Sequence, residues 1–284
     1  MNAIELSHLH KSFGDFAIRD LSLAVPGGTI CGLVGENGAG KSTTIRLLMG
    51  ALRPDSGSSS VLGTDVSSPA FRAVKEDIGV VLDEAYFPES LHAMQVGKIL
   101  SATYRQWDQA LYEHYLARFS LPEKKPFKDY SRGMRMKLAI AAALSHRPKL
   151  LVLDEATAGL DPIARDEILD LFNEFTRQED HTILISSHIL SDLEKLCDYI
   201  AFLHQGQLLF CEEKDTLLER YGLFTDSQEN LDCFQPEAVI AAERSSYGGV
   251  RALVRRDLAP AGFQMEKPSV EDIVLFLVKG AKNA

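Results

Sequence analysis

Apolar and polar positions along this chain switch between a period of two and a period of about 3.6, and the order of the switches predicts an architecture. Ala3 to His10 and Ala17 to Val25 alternate apolar with polar residues, as strands with one wet face do, and Pro26-Gly27-Gly28 ends the second. They predict a small antiparallel layer. Thr29 to Val34 and Ile78 to Leu82 are short β-rich runs, the latter closed by Asp83-Glu84. From Met94 to about Ser120 the period becomes helical, with Val96, Ile99 and Leu100, then Leu111, Tyr115, Leu116 and Phe119, on recurring faces. An alanine-rich helix follows from Arg135 to Ser145. Lys149 to Leu153 then runs without a polar face, which a central parallel strand covered on both sides requires. Ile168, Leu171, Phe172 and Phe175 fall at i, i+3, i+4 and i+7 and predict a core-facing helix; Thr182 to Ile185 is another strand.

A helix from Leu190 to Cys197, strands at Tyr199 to His204 and Leu208 to Cys211, and a helix from Asp215 to Tyr221 complete the pattern. Strands alternating with helices at this spacing predict an α/β protein whose parallel sheet binds ligands at its strands' C-terminal ends. The expected organisation is a domain over 1–222, with a helical insert at about 90–146, and a short C-terminal extension over 223–284. In that extension Val239 to Glu243 and Val250 to Val254 predict a hairpin around Tyr247-Gly248-Gly249. Ser269 caps a last helix, with acids in its first turn and an apolar run from Ile273 to Val278.

Composition narrows the function classes. With 284 residues the chain is long enough for a substantial core. Its net charge of −10 argues against non-specific capture of nucleic acid, and no nucleic-acid partner is expected. Cys31, Cys197, Cys211 and Cys233 show no metal-ligand spacing and read as thiols of a reducing compartment. The first residues lack a secretory signal, and no apolar run approaches the ~18 residues of a membrane span. The expected location is cytoplasmic, with any membrane role exercised through a partner.

Gly35-Glu36-Asn37-Gly38-Ala39-Gly40-Lys41-Ser42-Thr43 carries the first chemistry. The spacing G-x-x-x-x-G-K-[ST] after a strand and before a helix curls backbone N–H groups around phosphate. Lys41 reaches the terminal phosphates, Ser42 offers a hydroxyl to Mg²⁺, and the positive helix end faces the same anion. Asp154 and Glu155, at the tip of a strand, suit holding Mg²⁺ and taking the proton of an attacking water. Ser131-Arg132-Gly133-Met134 before a helix is either a plain cap or a second anion site. His188 ends a strand, where it is a packed histidine or an orienting group for water or the γ-phosphate. Phe13, by position alone, is a strand-end packing residue.

Taken in order, these stretches resemble the nucleotide-binding subunit of ATP-binding cassette (ABC) transporters, from about Ala3 to Tyr221. Gly35 to Thr43 matches Walker A, Tyr130 to Met134 the signature loop, Leu150 to Glu155 Walker B, Ala158 to Asp161 the D-loop, and His188 the switch histidine. The resemblance implies a P-loop NTPase core and two copies pairing head to tail around two ATP molecules. It implies further that Phe13 stacks on adenine and Glu155 is the catalytic base. Ser131 and Gly133 then reach the partner copy's γ-phosphate. A separately encoded permease would place the subunit on the inner face of the membrane, and the Pro268 to Val278 tail resembles that of cassettes serving export. Two departures stand out. The usual Leu-Ser-Gly-Gly-Gln is Tyr-Ser-Arg-Gly-Met here, and the position of a Mg²⁺-ligating glutamine is Asp83, whose carboxylate is also a hard oxygen donor. Alternatives are a soluble cassette ATPase serving ribosomes, DNA or iron–sulfur assembly, and a regulatory nucleotide-binding module with little turnover.

Overall fold

The computed structural model describes residues 1–83, 87–244 and 249–283, with side chains as far as Gly280. Strands β1 (Asn2–Phe13) and β2 (Phe16–Pro26) form a long hairpin. Then come β3 (Ile30–Val34), α1 (Lys41–Leu48), β4 (Ser56–Val61), β5 (Thr64–Asp65), α2 (Phe71–Val74) and β6 (Ile78–Val81). The insert holds α3 (Ala93–Ser101), α4 (Gln109–Arg118) and α5 (Arg132–Leu144). Next are β7 (Leu150–Asp154), α6 (Pro162–Phe175), β8 (Thr182–Ser187), α7 (Leu190–Leu196), β9 (Tyr199–His204), β10 (Gln207–Glu213) and α8 (Lys214–Arg220). The last part contains β11 (Tyr221–Asp226), α9 (Gln228–Leu231), β12 (Val239–Arg244), β13 (Val250–Arg255) and α10 (Val270–Asn283).

The main sheet has six strands in the order β10-β9-β3-β8-β7-β6, parallel except for β10. Its central strands are apolar throughout because alternate residues serve two different cores. Leu151 and Leu153 of β7 face the insert with α6 and α7, while Leu150 and Val152 face α1 and the antiparallel layer. Ile183 and Ile185 of β8 divide from Leu184 in the same way. This is an α/β fold with a parallel core and a small antiparallel layer.

That layer has four strands, β2-β1-β4-β5. The sequence pattern predicts only two of them, because Ser56-Gly57-Ser58-Ser59-Ser60-Val61 carries no apolar alternation; β4 forms by pairing with β1, Ile4 opposite Val61 and Leu6 opposite Ser59. The helical stretch predicted from 94 to 120 is two helices. Asp108 breaks it by capping α4, its carboxylate accepting from Leu111 N–H at 2.9 Å. Helix α5 begins at Arg132 rather than Arg135, because Ser131 Oγ accepts from Met134 N–H at 3.2 Å and closes the first turn.

In the extension, β11, β13 and β12 make a three-stranded antiparallel sheet. The predicted strands at 239–243 and 250–254 pair as expected, while Tyr247 and Gly248 of their turn lie outside the described residues. The division expected at 222 falls inside β11, where Gly222 pairs with Val254. Helix α10 joins the cassette core through Val270, Ile273, Phe276 and Val278. Val270 N–H also donates to Glu194 Oε2 of α7 at 3.0 Å.

Candidate functional site

The loop between β3 and α1 leaves the middle of the parallel sheet, and glycine is required where it turns. Gly40 has φ +110°, and a Cβ there would stand 2.5 Å from Ile18 Cδ1; one on Gly35 would stand 2.4 Å from the Leu203 carbonyl oxygen. Gly38 is left-handed as well, at φ +82°. Inside the curl, Ala39 N–H donates to Glu36 O at 3.0 Å and Thr44 Oγ1 to Gly40 O at 2.9 Å. Asn37 and Gly38 are exposed, and Ser42 and Thr43 are half-buried at the start of α1. Lys41 is only 7% exposed, and its Nζ donates to Gly35 O at 2.8 Å. A buried ammonium on backbone carbonyls holds a place that a phosphate oxygen fills better, since a charge-assisted bond is about twice as strong as one to a neutral acceptor.

Two strand tips bring the acids to this loop. Asp154, buried at the end of β7, accepts from Ser186 Oγ of β8 at 2.5 Å. The next residue, Glu155, has φ +52°, a left-handed backbone that costs a non-glycine residue on the order of 1 kcal/mol. Its N–H donates to Ser186 O at 3.1 Å and to Ser186 Oγ at 3.2 Å, which holds the strained turn. The Glu155 carboxylate then sits between two cationic or donor groups: Lys41 Nζ is 3.5 Å from Oε1, and His188 Nδ1 is 2.7 Å from Oε2. The sequence places these three residues more than thirty positions apart in each case; the parallel register puts them side by side.

The signature-like stretch lies elsewhere. Ser131 is exposed and Gly133 half-buried at the N-terminus of α5, and among the described residues neither makes a hydrogen bond to the Gly35–Thr43 loop. Asp161 caps α6, and the N–H groups of Ala164 and Ile163 hold its carboxyl below the usual carboxylate range. Phe13 stands 40% exposed at the end of β1, opposite Phe16, with the Lys11 ammonium 5.6 Å from its ring centroid. Asp83 follows β6 at the sheet edge. By the resemblance Asp83 would ligate Mg²⁺ with Ser42 and Asp154; in the structure its carboxylate accepts from Arg132 Nη2 at 2.9 Å.

Two features escaped the sequence. The polar end of β8, Ser186-Ser187-His188, is visible as a break in an apolar run, but the role of Ser186 in fixing both acids depends on strand register. The Arg132–Asp83 pair spans 49 positions and leaves no local trace. Beside Asp83, an apolar cleft of about 300 Å³ runs between α1 and the sheet edge, lined by Ile45, Met49, Ile78, Val80, Leu82 and Tyr104. Val80, Leu82 and nearby Ile99 are exposed.

The chain's likeness to known proteins is specific. A family model described as ABC transporter matches residues 18–158. The ABC transporter ATP-binding protein YtrB of Bacillus subtilis is 33% identical over 219 residues, covering 77% of this chain and 74% of that protein. The lantibiotic transport ATP-binding protein SrtF of Streptococcus pyogenes is 35% identical over 215 residues, covering 75% and 91%. Among solved structures, an ATP-binding subunit of an ABC transporter superposes with a TM-score of 0.68 at 27% identity, covering 76% of this chain and 91% of that one.

Proposed function

This chain belongs to the family of ABC transporter ATP-binding proteins, which are ATPases, and we propose that it is the motor subunit of a transporter, two copies closing on two ATP molecules to drive a separately encoded permease. The observation that carries the reading is an asymmetry. Lys41, Glu155 and His188 converge at the mouth of the glycine loop, while Ser131 and Gly133, the second anion-suited helix start, stand away from it. A second copy, related by a twofold axis, would bring its own Ser131 and Gly133 to the open side.

In this reading Lys41 exchanges the carbonyls of Gly35 and Glu36 for phosphate oxygens. Phe13 presents an exposed ring for adenine, and the N–H groups of the loop through Thr43 surround the phosphates. Glu155 takes the proton of the attacking water, and His188, donating from Nδ1, keeps its carboxylate oriented. Mg²⁺ supplies charge neutralisation at the phosphates when bound. Ser42 and Asp154 fit it as hard oxygen donors, and among the described residues no cluster of three metal-ligating side chains competes, as suits an ion that keeps water and phosphate ligands.

The permease reading draws support from the exposed apolar cleft at Val80 and Leu82, a surface that suits an apolar segment of a partner. Among the described residues no helix is long and apolar enough to cross a membrane, so the subunit would sit at the inner face through that partner. Export is the direction we favour, on the resemblance of the C-terminal tail. The dimer is tested with Glu155→Gln: the variant should bind ATP, lose hydrolysis by about 10²–10⁴-fold and sediment as a dimer in Mg²⁺ and ATP. A variant that hydrolyses at the unmutated rate, or stays monomeric with ATP bound, would sink the proposal.

A further inference from the structure

Two of the residues that depart from the family pattern, Asp83 and Arg132, are bound to each other. Arg132 is the first residue of α5, directly after Ser131, and its Nη2 donates to Asp83 Oδ1 at 2.9 Å. Its guanidinium also lies on the backbone of Gly159, where φ is +71° and a Cβ would stand 3.1 Å from Nη1 and 3.2 Å from both Cζ and Nε. Near-equal distances to three guanidinium atoms mean that the flat face meets the glycine. Next to it, Leu160 Cδ2 is 3.5 Å from the place of a Cβ on Gly133. One side chain therefore joins the loop after β6, the loop after β7 and the start of α5. Farther along, Lys137 pairs with Glu167 at 2.7 Å and ties α5 to α6.

We propose that Arg132 is a positioning residue, held by Asp83 against Gly159, so that Ser131 and Gly133 already stand in place to meet the nucleotide of the second copy. This rests on the reading of the chain as half of an ATP sandwich. Closing such a sandwich orders the start of α5, and a start that is held beforehand loses less freedom on closing. A guanidinium suits the task because it stacks on a backbone with its face while donating from its edge. The pair is half-exposed, 58% for Arg132 and 51% for Asp83, so solvent screens it and the effect is modest. Asp83 in this role answers to a cation of its own chain instead of Mg²⁺.

The test is a double-mutant cycle on ATP hydrolysis, with ATP and Mg²⁺ each varied, for the unmutated protein, Arg132→Ala, Asp83→Ala and the double variant. Each single variant should raise KM for ATP about threefold, with the change in KM and not in kcat, and the double variant should do no more than either single one. The Mg²⁺ requirement should stay the same in all four. A double variant whose KM rises by the product, about ninefold, overturns the proposal. So does a raised Mg²⁺ requirement in Asp83→Ala alone, which would make Asp83 a metal ligand. An unmutated protein that hydrolyses no ATP would defeat the functional reading instead, and equal melting temperatures across the four show that the fold is retained.

Discussion

At the scale of single residues, the site depends on carboxylates whose surroundings are set from other strands. Glu155 occupies a left-handed turn because Ser186 accepts and shares its N–H, and its carboxylate is flanked by Lys41 and His188. The chemistry of each residue type was legible in the sequence, since a strand-terminal Asp-Glu after a phosphate loop suits metal and base. The holding group Ser186 was not, because a serine in a strand has no local signature of its partner. A titrating histidine lies behind Tyr104 of the cleft. His146 is fully buried, stacked on Tyr104 at 4.1 Å between centroids, with Nε2 3.2 Å from Ile78 O. Burial pushes its pKa below the ordinary 6.5. The folded state therefore binds fewer protons than the unfolded one, so this histidine contributes stability above the unfolded value of 6.5, lost as pH falls through the lower folded value. The melting temperature should drop as the pH falls below 6.5, and His146→Gln should flatten that part of the profile.

At the scale of elements, amphipathic periodicity located the helices and failed where the chain breaks by capping or pairs by backbone alone. Asp108 starts a second helix within a run that looks continuous, and β4 owes its strand to β1 and not to its serines. The insert also shows where local preference loses to packing. Gly97 lies in α3, where alanine has the higher helix propensity by about 1 kcal/mol. A Cβ there would stand 2.5 Å from Tyr112 Cε1, and Tyr112 is a fully buried ring whose hydroxyl donates to Ala93 O at 2.8 Å. Overpacking costs about 1–3 kcal/mol, so it wins. Gly97→Ala should lower denaturation stability by up to about 2 kcal/mol, measured by urea unfolding, where propensity alone predicts a gain.

At the scale of the whole molecule, the C-terminal extension is built into the cassette. Ile273 and Phe276 of α10 share a core with α7 and the parallel sheet, and Arg251 holds Asp272 at 2.6 Å. Phe276→Ala should cost about 3–5 kcal/mol and lower the melting of the cassette along with the extension in one transition. An early separate transition of the extension, with the cassette unchanged, would show the two to be independent. The sequence by itself determined the parallel α/β core, the phosphate loop and the residue types of the site, because each is written in short-range patterns: continuous apolar runs, glycine spacing and strand-end acids. Only the tertiary structure decided what meets what. It set Glu155 between Lys41 and His188, gave Asp83 to Arg132, and fastened α10 to the core. Those contacts join residues tens of positions apart, and strand register and helix packing, which no local stretch encodes, bring them within bonding distance.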